Sequence, residues 1–312
     1  MAAADGGGSR IVVLMGPTAS GKSDLALQLA RAGGGEIVSA DSMQLYRGLA
    51  IGTAQPTAAE RAAVPHHLVG SFDFAERIDV HRFVALARCA IADIRRRGKL
   101  PIVAGGTGFY LKGLLYGLDE LPGDAALRAE LDRTYDRDDA FDALRQRMRQ
   151  LDPAALARWH DCRRKLIRAL EVRLLAGKSI TALQTGSRML RLPVTAWKII
   201  RDPAELRQRI EQRTDRMLRD GWIDEARIAL AHGLLTAPTA HQALGYAVIA
   251  DYLAGRLNFD AMRQRIIDRT GQYARRQRTW FRHQHPEAAE LRLPAAEPLP
   301  VLLDRIRRQL DA

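Results

Sequence analysis

The chain has 312 residues, 47% of them hydrophobic, with 48 Lys and Arg against 36 Asp and Glu, a formal net charge of +12. That length suits about two domains at ~150 residues each, and no apolar run approaches the ~20 residues of a membrane span. Cys89 and Cys162 are the two cysteines and stand far apart, too few for a disulfide framework or a zinc finger, which suits a reducing cytoplasm. The charge favours a polyanionic partner. An arginine-rich proteome would give the same excess, so the placement of the charges has to decide.

Residues 1–9 are polar and rich in Ala and Gly, without the basic start and apolar core of a secretion signal, and are expected to form a disordered tail. The run Ile11–Met15 reads as a strand. It leads into Gly16, Pro17, Thr18, Ala19, Ser20, Gly21, Lys22 and Ser23, and then into a helical pattern over Asp24–Ala30. Strand, glycine loop and helix together make G-x-x-x-x-G-K-[ST] a phosphate cradle rather than a chance turn. Loop N–H groups and the helix N-terminus face an anion, Lys22 adds a mobile charge, and the Ser23 hydroxyl suits Mg²⁺. Such loops mostly serve nucleoside triphosphates, so an ATP or GTP enzyme is the starting expectation.

Further β-type runs follow at Glu36–Ala40, His67–Val69, Leu100–Ala104, Val194–Ile200 and Glu290–Leu293, with a helix at Val80–Arg97 stopped by Gly98. Strands alternating with helices predict an α/β fold, a P-loop-type parallel sheet flanked by helices. In such sheets ligands bind beyond the carboxyl ends of the strands, where Asp41 and Thr107 also fall. From 122 to 186 the β-runs vanish, which predicts a small all-helical insertion domain in a core made of 10–121 and 187–312. Asp152 and Pro153 read as N-cap and first helical residue, Asp161 as the next cap, and Gly177 as a stop. The cations Arg158, Arg163, Arg164, Lys165, Arg168 and Arg173 form either a solvated face or a face for a polyanion.

Ala204–Trp222 is helical by period, with Arg213 near the middle of a stripe made by Leu206, Ile210 and Met217. A guanidinium there needs an anion, either a core carboxylate or the phosphates of the glycine loop. The helix Phe259–Gln284 carries Ile266, Tyr273, Gln277 and Phe281 on one side and Arg269, Arg275, Arg276, Arg278 and Arg282 around the others. Aromatics beside arginines suit RNA, while core packing accounts for some of the rings. His66 and His67 lack a third ligand at metal spacing and read as structural.

Taken in order, Gly16–Ser23, Asp41-Ser-Met-Gln44 with Tyr46, Ile51-Gly-Thr53 with Pro56, Pro65–Leu68, Gly105–Tyr110, Arg168–Glu171, Gly245-Tyr246 and Arg275–Arg282 resemble the bacterial tRNA dimethylallyltransferase (tRNA isopentenyltransferase) family. The resemblance runs from Ile11 to about Arg282. It implies that a dimethylallyl group passes from dimethylallyl diphosphate to N6 of the adenosine just 3′ of the anticodon, in tRNAs reading codons that begin with U. The cradle Gly16–Ser23 would then hold a prenyl diphosphate instead of ATP. A C–O bond breaks and diphosphate leaves.

By the same resemblance Asp41 is the base, Thr107 adds a hydroxyl at the reacting centre, and Lys22, Arg213 and Ser23 with Mg²⁺ hold the leaving group. Ser42 and Gln44 would read base edges of the flipped adenine, and Met43, Arg128, Arg164, Lys165, Leu166, Ile167 and Arg168 would contact the tRNA. Gln242, Gly245, Tyr246, Arg275, Arg276, Gln277, Thr279, Trp280 and Arg282 complete the implied RNA contacts. A cytoplasmic monomer without membrane attachment is expected. The chain departs from the family pattern at Ala247, where Arg is usual, at Gln55, where Lys is frequent, near Gly70, and at Arg164-Lys165. A P-loop small-molecule kinase and an RNA-binding regulator with a vestigial loop are the rival readings.

Overall fold

The computed structural model describes residues 10–184, 190, 192–285, 287–293 and 298–311. The expected tail 1–9 and the expected domain bound at 186–187 lie outside the described residues. The chain divides into two compact units, Met1–Tyr116 with Leu190–Ala312, and Gly117–Met189.

The first unit begins with β1 (Ile11–Met15), whose five side chains are all buried, as a central parallel strand requires. It continues with α1 (Lys22–Gly33), β2 (Glu36–Ser39), α2 (Ala58–Ala63), β3 (His66–His67), α3 (Val80–Arg96), β4 (Pro101–Gly105) and α4 (Gly108–Tyr116).

The second unit holds α5 (Ala125–Tyr135), α6 (Phe141–Leu151), α7 (Pro153–Trp159), α8 (Arg163–Ala176) and α9 (Ile180–Leu183). Its core gathers Leu131, Leu144, Met148, Leu166, Ile167 and Leu170. Asp152 caps α7 by accepting from Ala155 N–H, with Pro153 opening the helix. Asp161 does not cap α8. The N-cap is Cys162, one residue later, and the exposed Asp161 carboxylate pairs with Arg145 at 3.2 Å.

The first unit resumes with β5 (Val194–Ile200), α10 (Pro203–Arg219), α11 (Trp222–Ala231), α12 (Tyr246–Leu253), α13 (Phe259–Gln284), β6 (Ala289–Arg292) and α14 (Leu299–Asp311). The expected single helix over Ala204–Trp222 is interrupted. Gly221 takes a left-handed φ of 99° and turns the chain, so that Trp222 starts α11. Trp222 is buried at 3% exposure as the first residue of α11.

The six strands run parallel in the order β3-β2-β4-β1-β5-β6. One face carries α1 and α14, whose Leu25, Leu29, Leu302 and Ile306 share a cluster with Val12, Leu14 and Ile199. On the other, α3 packs on β2 and β4, and its Phe83 stacks on Tyr110 of α4 at 4.2 Å. Register positions the site. Met15 pairs with Gly105, and Ser39 with Ala104, so the segments after β1, β2 and β4 all leave the sheet at one edge. Among the described residues no helix is long and apolar enough to cross a membrane.

Candidate active site

Three carbonyls of the glycine loop accept from cationic side chains. Pro17 O accepts from Lys22 Nζ at 3.2 Å, Ala19 O from Arg209 Nε at 2.9 Å, and Ser20 O from Arg201 Nε at 3.1 Å. Gly21 adopts φ 92°, and no side chain caps α1 behind it. α2, α3, α5, α7, α10 and α13 each have a side-chain cap. The N-terminus of α1 therefore keeps its N–H groups for an outside acceptor, with the helix dipole behind them.

Asp41 follows β2 and opens a turn. Its Oδ1 accepts from Met43 N–H at 3.0 Å and Gln44 N–H at 3.4 Å, and Oδ2 makes no hydrogen bond among the described residues. Thr107 follows β4 and is joined to that turn. Its Oγ1 accepts from Ser42 N–H at 2.9 Å and donates to Ser42 Oγ at 3.2 Å.

Two clefts meet here. The larger, about 750 Å³, is lined by Lys22, Ser23, Asp24, Asp41, Arg213 and neighbouring residues; the smaller, about 270 Å³, by Asp41, Ser42, Met43, Arg213, Trp222 and Tyr273 among others. Asp41, Arg213 and Thr18 stand on both walls. α10 places Arg209, Arg213 and Arg216 on one face at i, i+4 and i+7, and all three line the larger cleft.

The charges are poorly neutralised from within. Burial depresses the Lys22 ammonium to about 8; Asp41 opposes that shift and Arg213 adds to it. Burial likewise holds the Arg213 guanidinium below its ordinary value against the pull of Asp41 and Asp24. Arg213 donates to Thr18 Oγ1 at 3.1 Å and makes no ion pair among the described residues, so the core-carboxylate alternative does not hold. A lysine and an arginine with an uncapped helix end, gathered in one cleft, suit a polyanion of diphosphate size.

The chain matches the IPP transferase family over residues 44–284 and the isopentenyl transferase family over residues 9–65. The chain belongs to the IPP transferase family. It is 44% identical over 309 residues to a tRNA dimethylallyltransferase of Methylococcus capsulatus, covering 97% of each. With tRNA dimethylallyltransferase 1 of Citrifermentans bemidjiense it shares 45% identity over 276 residues, 87% of this chain and 89% of that one. The full-length tRNA isopentenylpyrophosphate transferase of Bacillus halodurans superposes with a TM-score of 0.69 at 32% identity, covering 97% of both chains. A eukaryotic dimethylallyltransferase crystallised acting on tRNA gives a TM-score of 0.75 at 28% identity, over 91% of this chain and 74% of that one.

In this IPP transferase the residues expected to meet RNA divide by exposure. Arg164, Lys165, Gln242, Arg275, Arg276, Thr279 and Arg282 are exposed. Arg128 and Arg168 are half-buried and both pair with Glu171, which is 1% exposed. Trp280 is half-buried, with Phe109 edge-on at 6.5 Å.

Other expectations are corrected. Leu166 and Ile167 are buried in the core of the helical unit, so their side chains face no RNA. Gln44 was expected to read a base edge. Its Nε2 instead donates to Thr53 O at 3.1 Å and Ala54 O at 2.9 Å, and its Oε1 accepts from Ser39. Gln277 is 5% exposed with its amide engaged at both ends. Gly245 and Tyr246 are buried too, and the Tyr246 phenol donates to Glu225 Oε1 at 2.7 Å.

Glu225 escaped the sequence reading. Its carboxylate accepts from Ile51 N–H at 2.7 Å and Gly52 N–H at 2.9 Å, fixing the loop that borders both clefts. Nothing local in the sequence marks it. Arg209 and Arg216 were legible from their spacing to Arg213. Tyr273, open between an RNA face and core packing in the sequence, lines the smaller cleft, where burial first and then the charge of Asp41 raise its phenol above the ordinary range. Gln55 donates to Gln44 O and Tyr46 O at 3.1 and 2.8 Å, and Ala247 is exposed on α12.

Proposed function

We propose that this chain is a tRNA dimethylallyltransferase. It moves the five-carbon group of dimethylallyl diphosphate to N6 of the adenosine 3′-adjacent to the anticodon, in tRNAs that read codons starting with U. The observation that carries the reading is the carboxylate of Asp41 on the wall shared by two clefts, one of them lined also by Lys22, Arg209, Arg213 and Arg216. One cleft can hold a diphosphate while a second substrate reaches the same carboxylate.

The exocyclic amine of adenine is a weak nucleophile, its lone pair being delocalised into the ring. The free Oδ2 of Asp41 takes the N6 proton as the C–N bond forms. The bond between the allylic carbon and oxygen breaks, and its electron pair leaves on diphosphate. An allylic carbon tolerates a loose transition state, so stabilisation of the leaving group is the largest contribution. Lys22, Arg213 and the N-terminal N–H groups of α1 supply it. Thr107, bonded to the backbone and hydroxyl of Ser42, keeps the Asp41 turn in register with the edge.

The donors present fit Mg²⁺. Ser23 offers an exposed hydroxyl in the larger cleft, and hard oxygens of hydroxyl and phosphate type are its preferred ligands. Ser23 would hold the ion, which would neutralise charge on the diphosphate. The target adenine leaves the anticodon-loop stack to reach the edge. The exposed arginines of α13 suit phosphate contacts, and so, on the helical unit, do Arg164 and Lys165 of α8; a single-stranded loop is the expected target.

Incubation with tRNA, Mg²⁺ and dimethylallyl diphosphate labelled in the prenyl carbons tests the reading. Label in adenosine is the expected result. Unlabelled RNA beside ATP consumption would favour a kinase, and RNA binding without turnover a regulator.

A further inference from the structure

Gln277 sits on the arginine-rich helix α13 but differs from its neighbours. Arg275, Arg276 and Arg278 are exposed, whereas Gln277 is 5% exposed. Its Oε1 accepts from Thr18 N–H at 2.9 Å, and its Nε2 donates to Gly106 O at 2.8 Å. Thr18 belongs to the anion cradle after β1. Gly106 belongs to the segment after β4 that carries Thr107. Beyond the Met15–Gly105 pair, no backbone hydrogen bond joins these two segments among the described residues. One side-chain amide therefore bridges the cradle to the segment that holds the Asp41 turn.

The fit demands both partners as they are. A Cβ on Gly106 would lie 2.3 Å from Gln277 Nε2, so only glycine lets the amide reach that carbonyl. The bridge also consumes one loop N–H. Thr18 N–H is directed to Gln277, which leaves the anion to the N–H groups at the start of α1 and to the side chains.

We propose that Gln277 is a positioning residue for the transfer reaction, setting the distance between the bound diphosphate and the Asp41–Thr107 pair through its two-ended amide. The proposal rests on the functional reading above. It separates Gln277 from the exposed residues of the same helix, whose substitution is expected to weaken RNA binding. Glutamine is required because one end must accept and the other donate. Glutamate keeps the acceptor for Thr18 but sets a carboxylate against the Gly106 carbonyl. Asparagine keeps both functions but is a methylene too short to reach both loops.

The test compares Gln277→Glu and Gln277→Asn with the unaltered protein, below the unfolding temperature of each variant. Binding of inorganic pyrophosphate with Mg²⁺ and of an anticodon stem-loop is measured by calorimetry, and kcat and KM by dimethylallyl transfer. A misplacement of about 1 Å lowers turnover by ~100-fold. The expected result is that kcat falls by roughly 30- to 100-fold in both variants and pyrophosphate binding weakens, while the stem-loop binds within about threefold of its original affinity. Unchanged kcat, or stem-loop affinity falling in step with kcat, overturns the proposal. If the unaltered protein transfers no dimethylallyl group, the functional reading fails instead. The pyrophosphate arm then still decides whether Gln277 sets the cradle, and unaltered affinity in both variants refutes it.

Discussion

Arg213 offers a sharp separation of binding from folding. In the free protein its guanidinium makes a single hydrogen bond, to Thr18, and no ion pair among the described residues, and it helps to depress the neighbouring Lys22. Arg213→Met keeps most of the apolar stem and removes the charge. The lost hydrogen bond and the relieved desolvation oppose each other, so stability should change by less than about 1 kcal/mol. Toward a diphosphate the loss is one-sided. A charge-assisted hydrogen bond contributes about 1.5–3 kcal/mol, or roughly 10- to 100-fold in Kd. Urea denaturation gives the first quantity and calorimetric titration with dimethylallyl diphosphate the second. The Lys22 ammonium should also titrate above its present value of about 8 in the variant. A variant destabilised by about 2 kcal/mol or more with unchanged diphosphate affinity would make Arg213 a structural residue and refute the clamp.

Lys22 predicts a pH dependence with a definite sign. Its amine is depressed to about 8 in the free protein and is restored by a bound anion, so binding takes up a proton above that pH and none well below it. Diphosphate affinity should be level near pH 7 and fall toward tenfold per unit above about 8, and Lys22→Arg, which does not deprotonate there, should remove that part of the slope. Asp41→Asn should lower turnover by ~10²–10⁴ in a single-turnover assay while stem-loop binding is kept; full turnover would remove Asp41 as the base. Glu225→Gln leaves one of the Ile51 and Gly52 N–H groups facing an amide NH₂, and chemical denaturation should show a loss of about 2 kcal/mol.

What was readable in the sequence follows from chain-local physics. The glycine loop is bounded by a strand and a helix in the sequence itself. Because parallel strands all point one way, residues just after β2 and β4 arrive at the same edge, which is why Asp41 and Thr107 could be placed beside the loop. Arg213 was legible because a charge in an apolar stripe needs an anion. Roles that depend on partners far away in the chain stayed hidden. Gln277 reaches Thr18 across 259 positions and Glu225 reaches Ile51 across 174, and no periodicity encodes either. Gln44 was read as an RNA contact from the family resemblance alone, yet the backbone at Thr53 and Ala54 uses its amide first. The expected helix over Ala204–Trp222 was drawn through Gly221, whose left-handed φ of 99° separates α10 from Trp222 at the start of α11.

The central claim is that the cleft breaks a carbon–oxygen bond, although its loop is of the kind that usually serves phosphoryl transfer. Dimethylallyl diphosphate carrying ¹⁸O in the bridging position, supplied with tRNA and Mg²⁺, tests it directly by mass spectrometry of the products. The account predicts that all of the ¹⁸O leaves with diphosphate and that the modified adenosine gains five carbons and no oxygen. Retention of ¹⁸O on a five-carbon alcohol, or a phosphate on the RNA, would contradict it.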